Sequence, residues 1–309
     1  MSQPLVSIII PSFNQGKYIR ETIESCLNQD YRPLEVLVLD GGSIDETITI
    51  LKSFSDPELV WWSEPDEGVV DAVNKGLKLA RGDILTIQSS DDVFLPGAIS
   101  AAVQMLAENP SAGLVYGDVQ HIDANSRLIG EDVQGAFNLG EYLGRLIYIP
   151  QPGACFTRSA LKLAGGWRTV HSYVADADFW MRVATKLPVV KLNRLVGQYR
   201  YHEDQRDKQR ERIAQDWNGA VKDLLAGDSL NARQRKHARM GIYLAWHRYT
   251  LESDWWFRTR MLYAALAANP VAFFDPRIQK KELLFGRTPL WRKLSLIKRF
   301  LGLKPRTNK

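Results

Sequence analysis

Val6-Ser7-Ile8-Ile9-Ile10-Pro11-Ser12-Phe13-Asn14 is a nearly unbroken apolar run that stops at a proline and turns polar. An apolar run of this length with no alternation reads as a strand buried on both faces, the kind found in parallel sheets. The same design recurs outward from it. Leu34–Leu39 ends in Asp40-Gly41-Gly42-Ser43, and Leu59–Ser63 is followed by Glu64-Pro65-Asp66-Glu67-Gly68. Ile84–Gln88 ends in Ser89-Ser90-Asp91-Asp92, and Gly113–Tyr116 reads as a fifth strand. Between them lie helical periods: Ile19, Ile23, Cys26 and Leu27; then Ile44, Ile48 and Leu51; then Val70, Val73, Leu77 and Ala80; then Ile99, Val103 and Leu106. Ser43 and Glu46 have capping-box spacing ahead of the second helix, and Pro96 suits the first turn of the fourth. The alternation predicts an α/β fold, a mostly parallel sheet with helices on both faces. Trp61 and Trp62 are adjacent in a strand, so only one of them can face the core.

Composition narrows the class. The chain has 309 residues, 45% hydrophobic and 24% charged, an ordinary folded profile. Two cysteines, Cys26 and Cys155, exclude a disulfide framework or a four-cysteine zinc site and point to a reducing compartment. The first apolar run has neither a cationic flank nor a cleavage site, so it is not read as a signal peptide. No stretch approaches the roughly 20 apolar residues of a membrane span. A cytoplasmic setting is therefore expected.

Charge is unevenly spread. From Trp255 to Lys309 there are 13 Lys and Arg against Asp275 and Glu282, so with a net charge of +5 the remainder is acidic. Residues 291–301 place Leu294, Ile297, Phe300 and Leu301 on one side and Lys and Arg on the other. That pattern suits peripheral contact with anionic lipid at the inner face of the cytoplasmic membrane, or docking on the body. A nucleic-acid partner is disfavoured, since no binding motif accompanies the charge. The composition shift near residue 210 divides the chain into a body, 1–210, with halves 1–117 and 118–210, and a helical basic extension, 211–309. Short helices after Arg158 and after Asp176 and a strand at Val189–Val196 are expected in the second half.

In an open α/β sheet, ligands bind beyond the carboxyl ends of the strands. Three strand ends here aim acids at one edge. Clustered carboxylates repel unless a cation sits among them, and Mg²⁺ or Mn²⁺ bound through one or two carboxylates plus substrate phosphates fills that role. The chain has no G-x-G-x-x-G after a strand and no G-x-x-x-x-G-K-[ST], which disfavours a dinucleotide site or a P-loop.

These stretches, with Asn74-Lys75-Gly76 and Ala80-Arg81-Gly82-Asp83, resemble the family-2 glycosyltransferases of GT-A fold, densely over about the first 115 residues. The resemblance implies transfer of a sugar from a nucleotide diphosphate donor, most often a UDP-sugar, to an acceptor hydroxyl by inverting displacement. It implies that Pro11, Phe13 and Asp40 hold the nucleotide base, with Asn14 beside them in the binding site, while Glu64 and Asp66 line the donor or the acceptor pocket. Asp91 falls toward the ribose, and Asp92 with His202 on the metal, Mn²⁺ or Mg²⁺. Val174-Ala175-Asp176-Ala177-Asp178-Phe179-Trp180-Met181-Arg182 is similar to the family's E-D-x-D-L-W-x-R element, which makes Asp176 the base and puts Ala175 at its first acidic position. A saccharide or lipid-linked saccharide acceptor in cell-envelope polysaccharide synthesis is the setting it suggests. The rivals are a sugar nucleotidylyltransferase, which would want a Gly-rich basic loop after the first strand, and a non-catalytic nucleotide-sugar-binding protein.

Overall fold

The computed structural model describes residues 3–278 apart from 204, 206, 207, 252 and 276. The amphipathic stretch 291–301 therefore lies outside the described residues. Strands β1 (Val6–Ser12), β2 (Leu34–Asp40), β3 (Leu59–Ser63) and β4 (Ile84–Ile87) run parallel in the order β3-β2-β1-β4. The three inner strands are buried along their whole length, as their unbroken apolar character requires, and only the edge strand β3 is half exposed. Helices α1 (Ile19–Leu27), α2 (Thr47–Lys52), α3 (Val69–Leu79) and α4 (Ala98–Glu108) make the crossovers.

Past β4 the sheet becomes mixed. Strand β5 (Val93–Phe94) pairs antiparallel with β9 (Val189–Arg200), and β7 (Leu128–Asp132) antiparallel with β6 (Leu114–Ile122). Strand β8 (Cys155–Thr157) lies antiparallel between β4 and β6, while β6 and β9 are parallel. The result is one nine-stranded sheet. Strands β6 and β9 run well beyond the expected Tyr116 and Val196, because each supplies the other's hydrogen bonds out to Ile122 and Arg200. Helices α5 (Leu139–Leu143), α6 (Arg158–Ala164) and α7 (Ala175–Ala184) fill the second half.

The sheet separates two cores. Ile9, Leu39, Leu85 and Ile87 face α3, α7 and the next helix, α8 (Arg210–Ala226), whose Ile213, Trp217, Ala220 and Val221 are buried there. Ile8, Ile10, Val36 and Val38 face α1 and α4. At about 1.5–3 kcal/mol for each large apolar side chain buried, α8 is bound to the body by its packing. Helices α9 (Ala232–Tyr249) and α10 (Trp255–Ala268) add a third cluster around Met240, Leu244 and Leu262. No helix among the described residues is long and apolar enough to cross a membrane.

Two local expectations fail. Ser43 does not cap α2: its hydroxyl donates to Asp40 Oδ1 at 2.5 Å and accepts from Asn14 N at 2.7 Å. The helix begins only at Thr47, whose N–H is taken by Asp45 Oδ1 at 2.9 Å. Pro96 sits in the turn before α4, whose N-cap is Gly97 with φ 75°.

Candidate active site

Register brings the polar strand ends together. Ser12 stands beside Asp40, and Asp40 beside Ser63. Asp40 is buried, and four donors close on its carboxylate: Ser43 Oγ on Oδ1, then Gly42 N at 3.1 Å, Ser43 N at 2.9 Å and Ser63 Oγ at 2.7 Å on Oδ2. Asn14 clips the loops after β1 and β2, its Oδ1 accepting from Ile44 N at 3.0 Å. It holds a φ of 53°, one of the few left-handed non-glycine positions. Pro11 is buried inside β1, while Phe13 is 57% exposed at its end. Phe13 therefore offers an open ring face beside a rigid loop.

Asp40, Glu64 and Asp66 meet in one cavity of about 250 Å³, together with Trp62, Lys75 and Leu79. Gly41 allows this convergence, because a Cβ there would lie 2.8 Å from Asp66 Oδ2. Trp62 is the outward member of the tryptophan pair, and Trp61 packs against the core. Lys75, on α3, is paired: its Nζ lies 3.0 Å from Glu64 Oε1 and 3.2 Å from Asp71 Oδ2. Arg81 is also engaged, 2.8 Å from the buried Glu35 carboxylate at the opposite end of the strands.

The second acidic group divides its tasks. Asp91 Oδ2 and His202 Nε2 are 2.8 Å apart. Asp92 is 1% exposed, and its Oδ1 accepts from Arg200 N at 2.8 Å. Burial, then the neighbouring Asp91 charge, push the Asp92 carboxyl well above its usual value. Arg200 escaped the sequence reading. Its buried guanidinium donates to Asp91 O at 2.7 Å, Ser126 Oγ at 2.8 Å and Glu21 Oε2 at 2.6 Å, and stacks 4.9 Å from the Tyr18 ring centre. The run Tyr199-Arg200-Tyr201-His202 held a signal, since strand alternation turns every second residue inward.

A divalent cation fits this corner. Asp92 is a buried carboxylate without a cationic side chain bonded to it, beside a second carboxylate and an imidazole. Among the described residues no group of three or more His, Cys, Asp or Glu is arranged to hold an ion by itself. An ion here would need oxygen ligands from a bound diphosphate, the usual manner of Mg²⁺.

Asp176 lies in the first turn of α7, partly buried, where the helix N-terminus favours a negative charge. Its charge adds to the burial that raises the Tyr142 hydroxyl above its ordinary value. Asp178, two residues on, faces elsewhere. It is 1% exposed and bonded to Arg168 Nε at 2.9 Å and Arg182 Nε at 3.0 Å. Ala175, at the first acidic position of the motif, is buried in the core. Asn74, quoted above only as a motif residue, makes a two-point clip: its Oδ1 accepts from Trp167 N and its Nδ2 donates to Trp167 O, both at 2.9 Å.

The glycosyl transferase family 2 model matches residues 7–162. The chain belongs to that family. Chondroitin synthase of Escherichia coli is 30% identical over 194 residues, which are 62% of this chain and 28% of that protein. An uncharacterized glycosyltransferase of Mycobacterium tuberculosis is 33% identical over 188 residues, 59% of this chain and 70% of its own length. Among solved structures, S. aureus TarS 1–349 in complex with UDP-GlcNAc superposes with a TM-score of 0.63 at 17% identity, over 85% of this chain and 81% of that one. The mannosyltransferase PcManGT of Pyrobaculum calidifontis in complex with GDP-Man and Mn²⁺ gives 0.63 at 18% identity, over 98% and 89%. These likenesses bear out the expected GT-A fold. A family 2 glycosyltransferase thus carries its acids where parallel strands end.

Proposed function

We propose that this glycosyltransferase is metal dependent and inverting, and that it moves a sugar from a UDP-sugar to a hydroxyl of a saccharide or lipid-linked saccharide. The observation that carries the reading is the convergence of Asp40, Glu64 and Asp66 on one cavity, with the Asp91–His202 pair and buried Asp92 at the ends of the same strand set. Pro11, Phe13 and Asn14 frame the base: Phe13 offers its ring, and Asn14 fixes the loop. Asp92 and His202 would hold Mn²⁺ or Mg²⁺, with Asp91, bonded to His202, toward the ribose. When bound, the cation neutralises charge on the departing nucleoside diphosphate. The UDP-GlcNAc complex of TarS and the GDP-Man and Mn²⁺ complex of PcManGT support a nucleotide-sugar donor and a divalent cation, and the former a uridine base.

Asp176 accepts the acceptor's hydroxyl proton as the new bond forms. It is the acid for this task because Asp178 is tied to two arginines and Asp92 is buried at the donor corner. Chondroitin synthase among the relatives, a polysaccharide-forming enzyme by name, supports a saccharide acceptor. The 13 Lys and Arg against two acids from Trp255 to Lys309 support contact with anionic lipid at the inner face of the cytoplasmic membrane.

Incubation with a panel of UDP- and GDP-sugars, with and without Mn²⁺, tests the reading. We expect Mn²⁺-dependent thermal stabilisation by a UDP-sugar and slow release of UDP to water. Stabilisation without any release would favour the non-catalytic rival that Ala175 motivates. Neither effect with any nucleotide sugar would overturn the donor assignment.

A further inference from the structure

Asp176 follows a stretch that cannot hold itself. Residues Thr169–Val174 form a 3-10 turn broken at His171, where φ is −125° and ψ 44°. Such turns have poor internal hydrogen bonds and are short. Their order must come from neighbours. One is α3, through the Asn74–Trp167 clip. The other is α8, from the region beyond residue 210.

Three residues of α8 meet the turn, and their spacing of three and four puts them on one helical face. Asp216 Oδ2 accepts from Tyr173 N at 2.9 Å. Asp223 Oδ2 lies 3.0 Å from Arg168 Nη1 and 3.0 Å from His171 Nε2. Between them, Gly219 leaves room for the imidazole, since a Cβ there would fall 2.4 Å from His171 Cε1. Burial opposes the Asp223 charge, yet His171 and Arg168 outweigh it and hold the carboxyl below its usual range. Arg168 also bonds Asp178, so the grip continues into α7 itself.

We infer that Asp216, Gly219 and Asp223 are positioning residues for the reaction: α8 clamps the turn so that the Asp176 carboxylate meets the acceptor hydroxyl. This rests on the reading of Asp176 as the base. General-base transfer needs hydrogen-bond reach, and misplacement by about 1 Å costs on the order of 10²-fold in rate. The clamp acts on the proton-transfer geometry and leaves the donor corner, built on other strands, untouched.

The test uses the full chain, with Asp216→Ala and Asp223→Ala combined, Gly219→Ala alone, Asp223→Asn and Asp176→Asn. Turnover is read as release of UDP from the UDP-sugar that the parent accepts, and binding as calorimetric titration with UDP and Mn²⁺. In the combined variant kcat should fall about tenfold or more, with donor KM and UDP affinity within about twofold of the parent. Gly219→Ala, which displaces the imidazole without removing a charge, should fall in the same direction. Asp223→Asn keeps an acceptor oxygen in place and should recover much of the rate. Parental kcat in both clamp variants, with Asp176→Asn inactive, would overturn the clamp alone. A joint fall of kcat and UDP affinity would also overturn it, by showing a general loss of structure. Parental turnover in Asp176→Asn would remove the base reading and the clamp with it.

Discussion

Asp40 and Ser63 stand side by side because their strands are in register, whereas Asp176 stands where it does because α3 and α8 grip an irregular turn from outside. The first arrangement is repetitive and rests on backbone pairing. Each of β1 to β4 delivers its terminal residue to the same edge, and the sheet's backbone ladder supplies the precision. The second arrangement is long-range, carried by side chains that reach 43 to 93 residues along the chain. The proposed site therefore combines a donor corner that follows from sheet geometry with a proposed base whose place depends on a few carboxylates and one amide. Changes in the first region should act through binding, and changes in the second through rate or cooperative stability.

The largest effect on stability is expected in the second region. Asp178→Asn removes the charge that Arg168 and Arg182 share in a buried setting. Breaking such a pair costs about 3–5 kcal/mol. Urea unfolding measures it, and a loss under about 1 kcal/mol would mean that the pair behaves as a surface bridge.

In the donor corner, Asp92→Asn keeps the shape and the bond from Arg200 N but removes a charge beside the proposed cation. Affinity for UDP with Mn²⁺ should fall about tenfold, roughly 1.4 kcal/mol, with little change in affinity for UDP alone. Calorimetry with and without the metal decides the matter, and equal affinities in variant and parent would detach the ion from this corner.

The smallest effect concerns the far end of the same strands. Burial works against the Glu35 charge, but Ser7 and Arg81 outweigh it and hold the carboxyl below its usual range. A carboxyl lowered in the fold adds stability above its unfolded pKa of about 4.3, and loses it as pH falls through the folded value. The parent should therefore lose stability below about pH 4.3 more steeply than Glu35→Gln. Parallel acid limbs in the two proteins would show that the Ser7–Arg81 contacts do not favour the charged form.

This division also explains what was legible in the sequence. Apolar runs and polar stops placed β1 to β4, and with them Asp40, Asp91 and Asp92, because a parallel strand states its burial in its own residues. Strands β5 and β8 escaped because two and three residues are too few for a period, and β7 because it is largely exposed and has only Leu128 and Ile129 as apolar residues. The Ser43 capping box was misread because the spacing was right but the hydroxyl had a better use at Asp40. Asn74, Asp216 and Asp223 were hidden for a common reason: each acts on residues far away in the chain, and a backbone clip has no signature until its partner is known.

Paired measurements of one variant, Asp176→Asn, test the division between the two regions most directly. Its donor turnover and its affinity for UDP with Mn²⁺ should be read on the same preparation. If binding and proton removal belong to different regions, turnover falls by about 10²–10⁴-fold while UDP and Mn²⁺ bind as in the parent. A variant that turns over normally, or one that loses affinity along with rate, would contradict it.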